Sequence, residues 1–222
     1  MFDFHIHSIL SDGELLPVEI ARRMHVLGNT GCAITDHVDF SNIKEILTKL
    51  SEWKEERSSL EVEMLIGVEI THAPPEKIDR MVSIARNNGA EIIIVHGETL
   101  AEPVELGTNL AGVRNPEVDI LAHPGLLTLE EAEIAKENGV FLEISTRKGH
   151  CLANGHVASV SKEVGCDVIL NTDSHSPEDL VDSQTAFRIL RGSGFGEREA
   201  KYILEETPSK LLRKLGFSPN HK

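Results

Sequence analysis

Six apolar segments of this chain end in side chains that can bind a metal ion. The endings are His5-Ile6-His7, Thr35-Asp36-His37, Gly67-Val68-Glu69, Val95-His96, Ala122-His123-Pro124 and Thr172-Asp173-Ser174-His175. Residues two apart on a strand share a face, so His5 and His7 can grip one ion together. Asp173-Ser174-His175 repeats that spacing near the other end of the chain. One such pair is adequately explained by two core or surface histidines. Two pairs, three further strand-end histidines and a strand-end glutamate are hard to obtain by chance. Gathered on one rim, these imidazoles and carboxylates would repel and desolvate one another unless a cation held them. That points to a metal cluster.

The elements that must position these groups read as alternating strands and helices. Strands are predicted at Phe2–His7, Gly31–Thr35, Met64–Ile70, Glu91–Val95, Val118–Ala122, Val140–Ser145 and Val168–Thr172. Helices are predicted at Pro17–Leu27, Ile43–Arg57, Pro75–Asn87, Leu129–Asn138, Val157–Glu163, Pro177–Arg191 and Glu197–Leu215. Thr128 and Glu131 form a capping box at one helix start, and Ser176-Pro177 opens another. Glycines 28, 89, 139 and 165 punctuate the passages from helix to strand. Seven strands with interleaved helices, in one domain over residues 1–222, predict an α/β fold: a distorted seven-stranded (β/α) barrel. A doubly wound open sheet is the alternative. The barrel is preferred because ligand candidates close every strand but one, whereas an open sheet would concentrate them at its switch point. Residues 97–117 read as a long irregular loop on the functional rim.

Composition narrows the function. The chain has 222 residues, 40% hydrophobic content and a formal charge of −14. No apolar run is long enough to span a membrane and no secretory signal is evident. Cys32, Cys151 and Cys166 are odd in number and widely spaced, which argues against a disulfide framework and fits a cytoplasmic protein. The acidic surface argues against an extended nucleic-acid track. It does not exclude an anionic substrate, because bound divalent ions would reverse the local sign.

The set His5-x-His7, Asp12, Thr35-Asp36-His37, Glu69, His96, Ala122-His123-Pro124 and Asp173-x-His175 resembles the PHP (polymerase and histidinol phosphatase) family. It is most similar to archaeal-type, histidinol-phosphatase-like PHP phosphoesterases. The resemblance implies a TIM-like barrel and three divalent metal ions, zinc, manganese or iron. It implies that His5, His7, Glu69 and Asp173 hold one ion. Glu69 would bridge to a second, completed by His96 and His123. Asp12, His37 and His175 would hold the third. Asp12 stands where other members have histidine, and a carboxylate favours manganese or iron somewhat more.

The expected activity is hydrolysis of a small phosphorylated substrate, a phosphomonoester, by a metal-bridging hydroxide. Asp12, Glu69 and Asp173 with three divalent ions would make the site net cationic, which suits a phosphate dianion. Glu69, Asp173 and Arg147 are the candidate catalytic residues, with Arg147 able to fork onto phosphate oxygens. A phosphodiesterase or nuclease acting on nucleotides or short oligonucleotides is the alternative. An amidohydrolase-type hydrolase and a non-catalytic metal-binding module are further readings. Asp36 could orient a ligand histidine, and Glu143 reads equally as such an orienting group or as part of an ordinary buried pair. His25, His72, His150, His156 and His221 read as surface, loop or mouth residues rather than ligands. Trp53 reads as a packing residue, and the run Glu52 to Arg57 as a solvated helical face.

Overall fold

The computed structural model describes residues 1–52, 54 and 56–218; Trp53 and His221 lie outside the described residues. Its strands are β1 Phe2–Ile6, β2 Gly31–Ile34, β3 His37–Val38, β4 Glu63–Ile70, β5 Ile92–His96, β6 Ile120–Ala122, β7 Phe141–Ser145 and β8 Val168–Asn171. Seven of them pair in parallel in the order β1-β2-β4-β5-β6-β7-β8, and the two-residue β3 pairs with the end of β4. The two edges of this sheet meet. Ile6 bridges Ser174, the His7 N–H donates to the Ser174 carbonyl at 2.9 Å, and the Phe4 N–H donates to Asn171 Oδ1 at 2.9 Å. The result is a nearly closed seven-stranded parallel β/α barrel.

The helices are α1 Pro17–Val26, α2 Ile43–Glu52, α3 Ile78–Asn87, α4 Thr108–Arg114, α5 Leu129–Asn138, α6 Asn154–Val164, α7 Ser183–Gly192, α8 Glu197–Glu205 and α9 Thr207–Lys214. The expected capping box opens α5: the Glu131 N–H donates to Thr128 Oγ1 at 3.2 Å, and the Thr128 N–H donates to Glu131 Oε2 at 2.8 Å. Helix α4 lies inside the stretch read as irregular. Its seven residues include Gly112, too short and too weakly patterned to show a period. The predicted helix Pro177–Arg191 divides into a 3-10 turn at Pro177–Asp179 and α7, which Asp182 caps by accepting from the Thr185 N–H at 2.7 Å. The predicted helix Glu197–Leu215 divides after Glu205, because Pro208 has no N–H to continue it and instead suits the first turn of α9. Helix α2 spans Ile43–Glu52, and Arg57 lies in the 3-10 turn Glu56–Ser59 rather than on the solvated helical face expected for it. It donates to both oxygens of Glu91, at 2.6 and 2.7 Å, beneath the barrel wall.

Two apolar layers hold the barrel. The outer layer joins strands to helices through residues such as Ile6, Ile34, Leu47 and Met81. The inner layer fills the barrel floor with Phe2, Phe4, Ala33, Leu65, Ile92, Ile94, Ile120, Phe141 and Ile169, and Leu211 and Leu212 of α9 pack against it. Above this floor the inward positions turn polar.

Candidate metal centre

Strand β1 delivers two imidazoles by breaking its own alternation. Phe2 and Phe4 belong to the inner layer, but Ile6 belongs to the outer one. Even-numbered residues can change face only if the strand gains a residue, and the pairing with β2 slips between Asp3 and Ile6. Such a bulge re-aims side chains beside functional sites. Here His5 and His7 both reach the centre, with rings 5.0 Å apart. Asp3 steadies the bulge from outside, accepting from Thr172 Oγ1 at 2.5 Å and from the His5 N–H at 3.2 Å. Burial raises its carboxyl to about 6 against the pull of those hydrogen bonds.

Glu143 orients the first ring. Its Oε1 lies 2.8 Å from His5 Nδ1 and accepts from Asn171 Nδ2 at 2.8 Å, while Oε2 accepts from the His123 N–H at 2.9 Å. With Nδ1 engaged, His5 Nε2 is free to face the centre. A carboxylate in this position would hold the ring of a histidine that binds metal through Nε2. In Glu143→Gln the amide must turn its NH2 toward one set of these donors. Metal affinity or turnover is therefore expected to fall about 10- to 100-fold, measured by metal titration alongside hydrolysis.

Glu69 lies at the middle of the cluster. Its Oε2 is 3.3 Å from His5 Nε2 and 3.5 Å from His7 Nε2, and its Oε1 is 3.4 Å from His123 Nε2. Asp173 Oδ1 is 3.2 Å from His7 Nε2 and 3.7 Å from His5 Nε2. These atoms do not satisfy one another: His5 Nε2, both His7 nitrogens, both His123 nitrogens and all four oxygens of Glu69 and Asp173 are buried without a hydrogen-bond partner. Buried polar groups are rarely left so. Two ligands on a tetrahedral ion at about 2.0–2.1 Å stand about 3.3–3.4 Å apart, close to the separations seen here. The donor set fits divalent cations, with imidazole and carboxylate mixed as zinc, manganese and iron accept.

A second group gathers at the rim. His175 Nε2 stands 3.3 Å from Asp12 Oδ1 and 3.4 Å from His37 Nε2, and the His7 ring lies 4.1 Å from both the His37 and the His175 rings. Donor atoms of His7, Asp12, His37 and His175 all fall within 4.8 Å of one another. His37 Nδ1 is 2.7 Å from both Thr71 Oγ1 and Glu69 Oε2, but only the Thr71 contact is aligned as a hydrogen bond. Among the described residues, the Asp36 side chain makes its hydrogen bonds with Ser8 and Ser11 rather than with the rings of the cluster. Its carboxylate accepts from the Ser8 N–H at 2.7 Å and from Ser11 Oγ at 2.7 Å, and so ties down the loop that carries Asp12. Gly13 packs on that loop where a Cβ would overlap the His7 carbonyl.

A third group was only half legible. His96 and His123 meet as expected, with rings 4.4 Å apart, and His150 joins them, its ring 4.1 Å from that of His123. His150, expected at the mouth rather than among the ligands, is 7% exposed. Glu102, unmarked in the sequence, comes from the long loop after β5 and lies 3.2 Å from His96 Nε2. The clue available was that loop's position after a ligand strand. Arg147 is half-buried at the same mouth, where Nη1 donates to the Asp173 carbonyl at 3.1 Å and Nε lies 3.8 Å from Asp173 Oδ2. Lys148 is exposed. His72 stands beside His96, its rings 5.1 Å apart from that neighbour. His156 is structural, 2.7 Å from the Leu127 carbonyl, and His25 is on the surface near Glu61.

Backbone and charge both record the tension. Among the described residues, the non-glycine positions with positive φ are His72 (50°), His123 (27°) and Asp173 (52°). Such conformations persist where the surroundings over-determine them. Burial opposes charge on His5, yet Glu143, Glu69 and Asp173 outweigh it and hold its imidazole well above the usual range. Burial, His37 and His5 push His7 well below it. Burial drives Asp173 up, whereas His5, His37 and His96 overcome burial and hold Glu69 down. The cluster on its own cannot satisfy all its members.

A family model described as PHP domain matches residues 3–113, from β1 to the end of α4, which include His5, His7, Asp12, His37, Glu69 and His96. The chain belongs to the PHP domain family. This PHP chain is 46% identical over 216 residues to an uncharacterized protein of Methanocaldococcus jannaschii, covering 96% of this chain and 99% of that one. It is 28% identical to ribonuclease P protein component 3 of Methanosarcina mazei, over 99% and 92% of the two chains. A probable phosphatase of Thermoanaerobacter is 27% identical, over 89% and 88%. In fold, a chain in a structure of archaeal ribonuclease P with mature tRNA superposes with a TM-score of 0.72 at 19% identity, over 96% of this chain and 90% of that one. Among the described residues, no helix is long and apolar enough to cross a membrane.

Proposed function

We propose that this chain is a metal-dependent phosphoesterase that cleaves phosphodiester bonds in nucleotides or short oligonucleotides. The observation that carries the reading is the convergence of unpartnered buried donors from β1, β4, β6 and the end of β8 at one barrel mouth. His5, His7, Glu69 and Asp173 would hold one ion, Glu69, His96 and His123 a second, and Asp12, His37 and His175 a third. Divalent ions there would supply electrophilic charge and water of lowered pKa.

The residues around the donors have separable tasks. Glu143 engages His5 Nδ1 and leaves Nε2 to the centre, and Asp36 anchors the Asp12 loop. Arg147, held at the mouth by the Asp173 carbonyl, would receive phosphate oxygens. Arg147→Ala is expected to raise KM about 10- to 100-fold, the worth of a charge-assisted hydrogen bond of roughly 1.5–3 kcal/mol, with a smaller change in kcat. An unchanged KM in steady-state kinetics removes Arg147 from the site.

The sequence alone points first to a small phosphomonoester. The relative named for ribonuclease P, matched over nearly its whole length, supports the diester alternative more strongly. A formal charge of −14 disfavours a long nucleic-acid track, so a short strand or a chain end suits the mouth better. The monoester phosphatase is the second reading, favoured by the relative named probable phosphatase. The test is phosphate or nucleotide release by the manganese- or zinc-loaded chain from an RNA dinucleotide and from an aryl phosphate monoester. Faster diester cleavage is expected. Turnover confined to the monoester supports the second reading, and no hydrolysis with any metal contradicts both.

A further inference from the structure

We propose that two loop residues, Glu102 and His150, are ligands of the ion that His96 and His123 would hold. The inference rests on the metal-binding reading above and extends it beyond the strand-end donors.

Glu102 reaches the mouth from the segment between β5 and α4. Its Oε2 lies 3.2 Å from His96 Nε2 and 3.3 Å from His72 Nε2, and its Oε1 lies 3.3 Å from His150 Nε2. A charge-assisted N–H···O⁻ bond is shorter, about 2.7–2.9 Å. The contacts to His72 and His150 are long hydrogen bonds, and separations of about 3.3–3.4 Å also suit two donors sharing a tetrahedral ion. His150 opens the 3-10 turn His150–Ala153 after β7. It is 7% exposed, and its Nδ1 is buried with no hydrogen-bond partner, 3.5 Å from Asp173 Oδ2. An imidazole so placed needs an acceptor, a donor or an ion.

The donor atoms of His96, His123 and His150 fall within 4.8 Å of one another, and so do those of His72, His96 and Glu102. His96 is common to both groups. Its Nδ1 engages the Gly97 carbonyl at 3.1 Å, which leaves Nε2 alone to bind metal. A nitrogen binds one ion, so both groups point to one position, which Glu102 Oε2 approaches from the loop beside His96 and His150 Nδ1 from the side of Asp173. His72 is half exposed and contributes least. Glu102 and His150 therefore close this position from the loop side.

Metal affinity is the test, read by competition between the full chain and a chromophoric chelator for zinc or manganese. Glu102→Gln and His150→Ala are each expected to weaken one bound ion about tenfold or more while leaving the others unchanged. Glu102→Asp, which keeps the carboxylate, should recover part of that loss. Glu105→Gln, an exposed charge on the same loop, should bind like the unsubstituted chain. Circular dichroism of each variant separates lost ligation from lost fold. If the unsubstituted chain holds its ions and both loop variants match it at every site, the inference is wrong and the strand-end centre stands. If the unsubstituted chain binds no ion, both readings fall together.

Discussion

Asp173→Asn is expected to reduce kcat about 1,000-fold or more, the loss of several kcal/mol of ion-borne charge stabilisation. The substitution keeps the size of the side chain. It also suits the backbone, because asparagine tolerates the positive φ of 52° found there. Asp173 shares His5 Nε2 and His7 Nε2 with Glu69, so a neutral amide removes a negative donor from the middle of the cluster. The metal-free variant should melt at or above the temperature of the unsubstituted chain, since the same change relieves crowding of buried carboxylates. Activity thus falls while metal-free stability does not, which general misfolding would not produce. Hydrolysis assays and thermal melts on the same preparation check both. Full activity in the variant would refute its role as a ligand.

Removing divalent ions should lower the melting temperature substantially. An ion present at 100 times its Kd adds about 2.7 kcal/mol to the folded state. In a chain of this size each kcal/mol is worth about 2–4 °C, so each ion lost should cost about 5–10 °C. The buried nitrogens of His5, His7 and His123 and the oxygens of Glu69 and Asp173 explain the direction, because chelation leaves them without partners. Melts after chelation, and again after zinc or manganese is restored, measure the effect. Identical melting temperatures throughout would contradict it.

Much of this centre was legible because parallel strands align their C-terminal ends. His37, Glu69, His96, His123 and Asp173 each follow or close an apolar run, and the barrel turns that linear pattern into one mouth. What escaped the sequence came from local backbone events and from loops. Nothing in Phe2-Asp3-Phe4-His5-Ile6 announces the bulge that lets Phe4 and His7 both serve the interior. Asp36 looked able to steady a ligand ring, but its partners Ser8 and Ser11 lie in a loop whose path no periodicity encodes. His150 and Glu102 were obscured for the same reason: their positions depend on how two loops fold over the mouth. Arg57 departs from the helical pattern because it lies in a 3-10 turn beyond α2, and its partner Glu91 is distant in sequence.

Together these separate segments are expected to capture metal. Elemental analysis of the purified chain, dialysed against zinc or manganese and then against metal-free buffer, tests it most directly. Close to three tightly held ions per chain are expected, with a clear loss in His7→Ala, whose ring belongs to two of the donor groups. Less than one ion per chain, or the same content in His7→Ala, would contradict it.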